Sequence, residues 1–334
     1  MPAVDRVTYT LYFQKGGSLY QLAPICTELK LSEKKDELAQ TLTFKLANVK
    51  VGDTYIGSLL DPGDIIHLTC NDGDGRKGEL FRGPVWETEY EHGKRTYSCT
   101  AYDPLIYLNK SKDLLFFQKG RTTQQIFESV CGDWNIPLSY TYTSIQHEQV
   151  GNTSAVQIAD FLVERLHEVR EKTHLQYTLK YENQKMVVCY RGNNSIVYTL
   201  SDDTNLTASS LSRTMDDMLT QVVITGPSDD SDSAPPVEAT LHGENQTHYG
   251  TIQSYVARNE DDTLAKIKEE QQQTLWEKRL PSKTFSATSI DYPFMRVGDI
   301  VKYNTGSNAG WNRLCVKSVT HDLLNRSMQL ELET

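Results

Sequence analysis

Asp72-Gly-Asp-Gly has the opening spacing of a calcium loop, in which carboxylates at alternate positions face one cation. The register fails further on. With Asp72 as first ligand, Arg76 falls at the fifth position and Gly83 at the twelfth, where a bidentate Glu is required. The run Asn71-Asp-Gly-Asp-Gly reads instead as a solvated turn that reverses one strand into the next. Gly73-Asp-Gly-Arg-Lys-Gly lacks the Gly-Lys-Ser/Thr that opens a helix in a P-loop, so it offers no phosphate cradle. The eight histidines are dispersed: His167 and His174 are seven apart, His242 and His248 six apart, and neither pair has a zinc-site companion. H-E-x-x-H and G-x-S-x-G are missing from the sequence. His321, at the end of a strand, is a candidate general base, but with no nucleophile motif to serve it reads as a satisfied surface histidine. Carboxylates are many, and a glycosidase pair among them is defined only in space. Tyr is abundant (18), and Trp86, Trp134, Trp276 and Trp311 add to a stock of aromatics that could stack on sugars. On strands such residues serve cross-strand packing first. No catalytic, metal or cofactor signature emerges.

The elements that would carry such residues are written in a recurring β grammar. Asp61-Pro-Gly-Asp-Ile-Ile-His-Leu is followed by a Gly/Asn/Asp-rich turn, then Phe81-Arg-Gly-Pro-Val, then Arg95-Thr-Tyr-Ser-Cys-Thr-Ala. Far downstream, Arg296-Val-Gly-Asp-Ile-Val-Lys-Tyr leads through a Gly/Asn-rich turn to Cys315-Val-Lys-Ser-Val and Arg326-Ser-Met-Gln-Leu-Glu-Leu. The aligned landmarks keep nearly constant separations: 235 from Gly63 to Gly298, 234 from Val85 to Val319, 231 from Arg95 to Arg326. Tyr97, Cys99 and Ala101 alternate in the first copy as Met328, Leu330 and Leu332 do in the second. In Asp61-Pro-Gly-Asp, Pro fixes one dihedral, Gly tolerates positive φ and Asp bonds back to the chain. Gly63, Asp64, Gly298 and Asp299 are therefore markers of a repeated turn, and we assign no chemistry to them.

With 334 residues, the chain has room for more than one core. A net charge of -10 and a pI near 5.3 argue against a nucleic-acid grip, which needs clustered Lys and Arg, and against adhesion to anionic membrane. Met1-Pro-Ala-Val-Asp-Arg shows no signal-peptide pattern, and no apolar run reaches spanning length. The six cysteines form no C-x-x-C and several sit at apolar positions, which suits a reducing cytoplasm.

Residues 1–105 read as a first β segment. Over 106–205 the period changes to that of an α+β module. Thr122 with Gln125 starts a helix that carries Ile126 and Val130 and ends at Trp134-Asn-Ile-Pro. A second helix begins near Thr153 or Ser154, with Ile158, Leu162, Leu166 and Val169 as its stripe. A hairpin follows around Glu182-Asn-Gln. Residues 206–334 return to β, with an acidic loop at 228–236 that has nothing to bury and a helix over about 261–280. That helix is capped near Asp261 or Asp262, with Leu264, Ile267, Gln271 and Leu275 on one stripe and Pro281 at its end.

Three stretches in order carry a resemblance: Ala101-Tyr-Asp-Pro-Leu-Ile-Tyr-Leu before the Thr122 helix, Tyr249-Gly-Thr-Ile-Gln before the acid-rich helix, and Val297-Gly-Asp-Ile-Val before Val316-Lys-Ser-Val-Thr-His and Met328-Gln-Leu-Glu-Leu. Together they resemble the PBSX-like prophage tail-hub family, related to contractile-tail baseplate hubs and the late-control protein D group. The resemblance implies an α+β, predominantly β fold with two similar β-barrel domains around an α+β insertion. It further implies a homotrimer whose six barrels line a channel between a sixfold tail tube and a threefold spike. Implied partners are the tube protein, the spike protein, a LysM-type tail adaptor and other baseplate proteins, with no membrane binding and nucleic acid only in passage through the channel. The implied place is a virion or phage-tail-like particle (a prophage or a bacteriocin) assembled in the bacterial cytoplasm. From the charge balance we expect the channel wall to be neutral to acidic. Rival readings are a tail-associated cell-wall hydrolase and a carbohydrate-binding β module of a receptor-binding protein.

Overall fold

The computed structural model describes residues 6–51, 53–151, 154–227, 234–259, 262–304 and 312–334. Six of the expected 228–236 loop residues, together with Asp261 and Trp311, lie outside them. The chain forms two compact units: one comprises the residues up to Ser210 together with Ser286–Thr334, the other Leu211–Phe285.

The first unit is organised by strands β1 (Thr8–Lys15), β2 (Ser18–Gln21), β3 (Cys26–Lys34), β4 (Thr41–Ala47), β5 (Ile65–Asn71), β6 (Lys77–Glu91) and β7 (Thr96–Tyr102). An α+β module follows, with helices α1 (Thr123–Asp133) and α2 (Ile158–Thr173) and strands β8 (Leu138–Tyr140), β9 (Tyr177–Glu182) and β10 (Lys185–Tyr190). Strands β11 (Thr199–Ser201) and β12 (Leu206–Thr214) come next. The second unit contributes β13 (Gln221–Thr225), β14 (Val237–His242), β15 (Gln253–Ala257) and helix α3 (Leu264–Glu277). The chain then continues through β16 (Ser282–Ile290) to β17 (Ile300–Asn304), β18 (Asn312–Asp322) and β19 (Ser327–Glu333).

Both halves of the repeat belong to one 13-stranded sheet, ordered β12-β16-β19-β18-β3-β4-β7-β6-β5-β1-β2, with β17 on β18 and β11 on β17. The fold is thus predominantly β, with few helices. Among the described residues the pairing runs from β12 to β2 and does not close into a barrel. Alternation sets its buried face: Leu42, Phe44 and Leu46 are buried on β4 while Thr41, Thr43 and Lys45 take the other side. Each such Leu or Phe contributes about 1.5–3 kcal/mol by leaving water. They join Leu11, Phe13, Leu29, Ile66, Leu68 and Phe81 in one core.

The repeat is closer than its spelling. Arg95 and Arg326 both take positive φ (53° and 51°), and Asn48 N donates to Arg95 O as Asp291 N donates to Arg326 O. Both long strands carry a bulge, at Val85/Glu87 and Val316/Ser318. The bulge fixes the true partner of Val85 as Val316, not Val319. Three residues of slip arose from aligning one Val on another across a turn whose length differs between the copies. With Val316 as partner, the separation is 231, the same as for the arginines.

In the α+β module the Thr122 side chain accepts from Gln125 N and the Gln125 side chain accepts from Thr122 N, closing the expected capping box on α1. Helix α2 starts four residues later than expected from Ser154, because Val156–Gln157 first pairs with Lys112–Asp113 as a short strand. Its Ile158, Leu162, Leu166 and Val169 are fully buried beside Ile126, Phe127 and Val130 of α1. The β9–β10 hairpin turns on Asn183 and Gln184, both at positive φ, and β8 adds in parallel to β10. In the second unit β13 lies between β14 and β15, and α3 starts on Thr263, whose side chain accepts from Lys266 N. Ile267 and Leu275 of α3 pack with Val222 and Ile224.

All six cysteines are free, and burial pushes the thiols of Cys26, Cys70, Cys99 and Cys131 up to about 12. They act as small hydrophobes. Among the described residues no helix is long and apolar enough to cross a membrane.

Candidate functional surface

The marker turns have matching geometry. Gly63 and Gly298 take φ 98° and 85° at the third position of four-residue turns, in which Asp64 N donates to Asp61 O (3.1 Å) and Asp299 N to Arg296 O (3.2 Å). Each Asp side chain closes back on its turn, Asp64 Oδ2 accepting from Asp61 N and Asp299 Oδ2 from Arg296 N, both at 2.9 Å. Each turn is then tied to the long strand: Gly63 N to Val85 O and Gly298 N to Val316 O, returned by Val85 N to Asp64 O and Val316 N to Asp299 O, at 2.8–2.9 Å. These carboxylates are spent on backbone. Burial pushes the Asp299 carboxyl upward. On the first copy, Lys15 Nζ reaches Asp61 (2.6 Å) and Asp64 (3.0 Å).

His321 differs from its surface reading: it is only 2% exposed. The register explains why. Ala101, Leu42, Leu31, His321 and Met328 follow one another across five strands on the core face. Its Nδ1 meets Asp291 Oδ1 at 2.6 Å and its Nε2 meets Met295 O at 3.0 Å. Asp291 also accepts from the Tyr9 hydroxyl at 2.6 Å. Burial opposes the charged ring, but the Asp291 carboxylate outweighs it and raises the His321 pKa above its ordinary value. Nε2 faces a carbonyl and Nδ1 a carboxylate, so both are donors of a charged ring and neither is free to take a proton from a substrate. A second buried histidine went unread in the sequence: His147 Nδ1 meets Glu168 at 2.6 Å and Nε2 meets the Thr123 hydroxyl at 2.8 Å. The other histidine pairs stay dispersed. Among the described residues no group of His, Cys, Asp and Glu is placed to hold a metal ion. In the Asp72 turn, Oδ1 accepts from Asp74 N and Arg76 N, both at 2.9 Å, which is turn chemistry.

A cleft of about 180 Å³ beside the second turn is lined by Arg76, Lys180, Glu182, Tyr198, Arg296 and Asp299. Several of its charges are engaged: Lys180 pairs with Glu182 at 3.1 Å, Arg296 pairs with Glu33, and the Arg76 guanidinium lies 4.0 Å over the Phe294 ring. Trp86, 38% exposed, meets Tyr102 and Tyr107 edge-on, so these rings do not present one flat platform.

The non-core face of the sheet is a continuous polar surface. One row runs Glu87, Thr100, Thr43, Lys30, Asp322, Ser327; the next runs Thr41, Ser32, Thr320, Gln329. It crosses the seam between the two copies without interruption, and Ser32 and Thr320 touch across that seam at 3.1 Å. Its carboxylates (Glu28, Glu87, Glu89, Glu91, Asp322, Glu331) outnumber its lysines (Lys30, Lys34, Lys45). Hydrogen bonds from Lys30 and Lys45 hold the Glu28 carboxyl down at about 2. The face is hydroxyl-rich and neutral to acidic. The signal was present as Ser or Thr at every second position (Thr41, Thr43; Ser98, Thr100; Ser318, Thr320), but the apolar half of that alternation drew the reading.

This fold is that of phage tail proteins. A tail protein from Neisseria meningitidis MC58 superposes with a TM-score of 0.71 over 98% of this chain and 96% of its own, at 13% identity. The 43 kDa tail protein of prophage MuSo2 from Shewanella oneidensis does so with 0.70, over 97% and 98%, also at 13% identity. The chain belongs to the YQBQ-like family, whose pattern it matches over residues 29–333. It is 29% identical over 171 residues to the phage-like element PBSX protein XkdQ of Bacillus subtilis (strain 168), a match covering 48% of this chain and 51% of that protein. The matched part thus spans about half the length of that curated relative.

Proposed function

We propose that this chain is the structural hub of a contractile phage-like tail, in a prophage or a phage-tail-like bacteriocin. In this reading the segments 1–105 and 206–334 are its two tube-type barrel domains, closed only in the assembled ring. The module at 106–205 is the insertion between them, and the Leu211–Phe285 unit is an outgrowth of the second. Three chains form a ring of six similar wall segments, which matches a sixfold tube on one side and a threefold spike on the other. Internal duplication doubles the apparent order of a closed threefold ring.

The observation that carries the proposal is the seam: β3 of the first copy pairs with β18 of the second, so two similar segments already stand side by side in one sheet. The hydroxyl-rich, net acidic face supports a channel wall along which a polyanion or a polypeptide slides without sticking. Partners in this role are the tube protein, the spike protein, a LysM-type adaptor and other baseplate proteins. Assembly takes place in the bacterial cytoplasm, and the role is architectural, without turnover. Mass measurement and electron microscopy of the purified protein and of assembled particles test it, with a threefold ring expected. Peptidoglycan turnover by the purified chain, lost on changing one carboxylate, would favour a hydrolase instead.

A further inference from the structure

The seam between the two copies has a counterpart left open at the ends of the sheet. Strand β3 corresponds to β12: both have nine residues, and the Thr27 hydroxyl donates to Lys45 O as the Thr207 hydroxyl donates to Thr288 O. Strand β18 corresponds to β6 through the shared bulge, so Ser318–Asp322 correspond to Glu87–Glu91. Strand β3 has neighbours on both edges, β4 and β18, whereas β12 ends the sheet with β16 as its one neighbour among the described residues. Likewise the Glu87–Glu91 half of β6 is paired on one edge by β7, and its other edge, which β3 covers in the second copy, carries no strand among the described residues.

These two edges have the character of unfilled halves of one joint. Thr207 through Arg213 are exposed without exception, on both faces of the strand. The run Thr207-Ala-Ser-Ser-Leu-Ser carries no charge and no proline of the kind that blunts an exposed edge, and Arg213 follows it as the strand's one charged residue. Leu211 is 38% exposed, whereas Leu31, at the matching place in the filled seam, is 1% exposed. The facing edge offers Glu87, Glu89 and Glu91, which would stand opposite hydroxyls and no acid, so the pair brings no like-charge opposition.

We infer that β12 of one chain adds to the Glu87–Glu91 edge of β6 in a second copy of the same chain, antiparallel and in the register of the β3–β18 seam. The inference rests on the ring reading and specifies its joint. In the template Lys30 stands opposite Asp322 and Ser32 opposite Thr320. Carried over, Ser210 stands opposite Glu91 of the neighbour, and Leu211 lies against its Tyr90. The joint is head to tail, so it leaves each chain with one donor and one acceptor edge until a ring closes.

The register makes the inference testable by cysteine cross-linking. In the template, Leu323 N donates to Leu29 O and Lys35 N to Lys317 O, which makes Lys30–Asp322 the closely spaced kind of pair that accepts a disulfide. Full-length protein carrying Ser210→Cys and Glu91→Cys together should, on mild oxidation, give covalent species of two and three chains and none larger, reversed by reductant. Ser209→Cys with Glu91→Cys places the thiols on opposite faces and should give none. Native mass of the unmodified protein is measured in parallel. A trimer that stays unlinked overturns this seam and leaves the ring standing. A monomer overturns both. Equal cross-linking from the Ser209 variant overturns the register.

Discussion

The two marker turns share a backbone but differ in their surroundings, and that difference sets a measurable gap between two identical substitutions. Gly63→Ala and Gly298→Ala each force a Cβ onto a residue with φ 98° or 85°, which costs about 1–2 kcal/mol. Around Gly63 there is nothing within 4 Å of the new atom, so the conformational cost is the whole cost. At Gly298 the Thr178 Oγ1, Cγ2 and Cβ all lie within 2.7 Å of it. Thr178 is buried on β9, and its Cβ, fixed by the strand backbone, cannot swing clear. That overlap adds about 1–3 kcal/mol. Scanning calorimetry reads the midpoint, and for a unit of this size each kcal/mol moves it by about 2–4 °C. Gly298→Ala should therefore lie below Gly63→Ala by about 2–12 °C. Thr178→Ala removes two of the three clashing atoms, and its hydroxyl has no hydrogen-bond partner among the described residues. Combined with Gly298→Ala it should recover about 1 kcal/mol or more. Equal midpoints for the two glycine variants, or no recovery with Thr178→Ala, would refute the account of the turns.

Two further outcomes follow from buried charge. Asp291 raises the folded-state pKa of His321 above an unfolded value of about 6.5. The pair therefore contributes its full stability below about pH 6.5 and loses it as pH rises through the folded-state value. The midpoint gap between wild type and His321→Asn should be largest near pH 5–6 and shrink toward alkaline pH, and a gap that widens would contradict this. Arg296 and Glu33 form a largely buried ion pair, with Arg296 also donating to Tyr181 O at 3.0 Å and Glu33 accepting from Val297 N at 3.1 Å. Arg296→Met strands the Glu33 carboxylate and should cost about 3–5 kcal/mol. Adding Glu33→Leu should return most of it, as a double-mutant cycle by urea unfolding would show.

What could be read from residues alone was whatever is local. Thr122 and Gln125 cap a helix because their spacing is enough to do so, and Gly63 and Gly298 mark turns because few residues tolerate their φ. The Met328, Leu330, Leu332 alternation likewise predicted a half-buried strand. What escaped depends on partners far along the chain. No local pattern announces that β3 lies against β18, nearly 290 residues away, or that the row through Leu31 would carry His321 into the core. The slip from Val316 to Val319 has the same origin, since a bulge is defined by what the opposite strand does. The late start of α2 reflects a two-residue pairing to Lys112–Asp113, too short to leave a periodic trace. The polar face was spelled in the sequence, yet its meaning depends on six strands lying side by side.

The central claim is that two similar segments per chain serve a threefold ring. Native mass spectrometry of the purified full-length chain, followed by imaging of the same sample, tests it directly. The account predicts a species of about 114 kDa, three times the 37.9 kDa chain, with threefold symmetry and six similar wall segments around a channel. A monomer at all concentrations, or a ring of six chains, would contradict it.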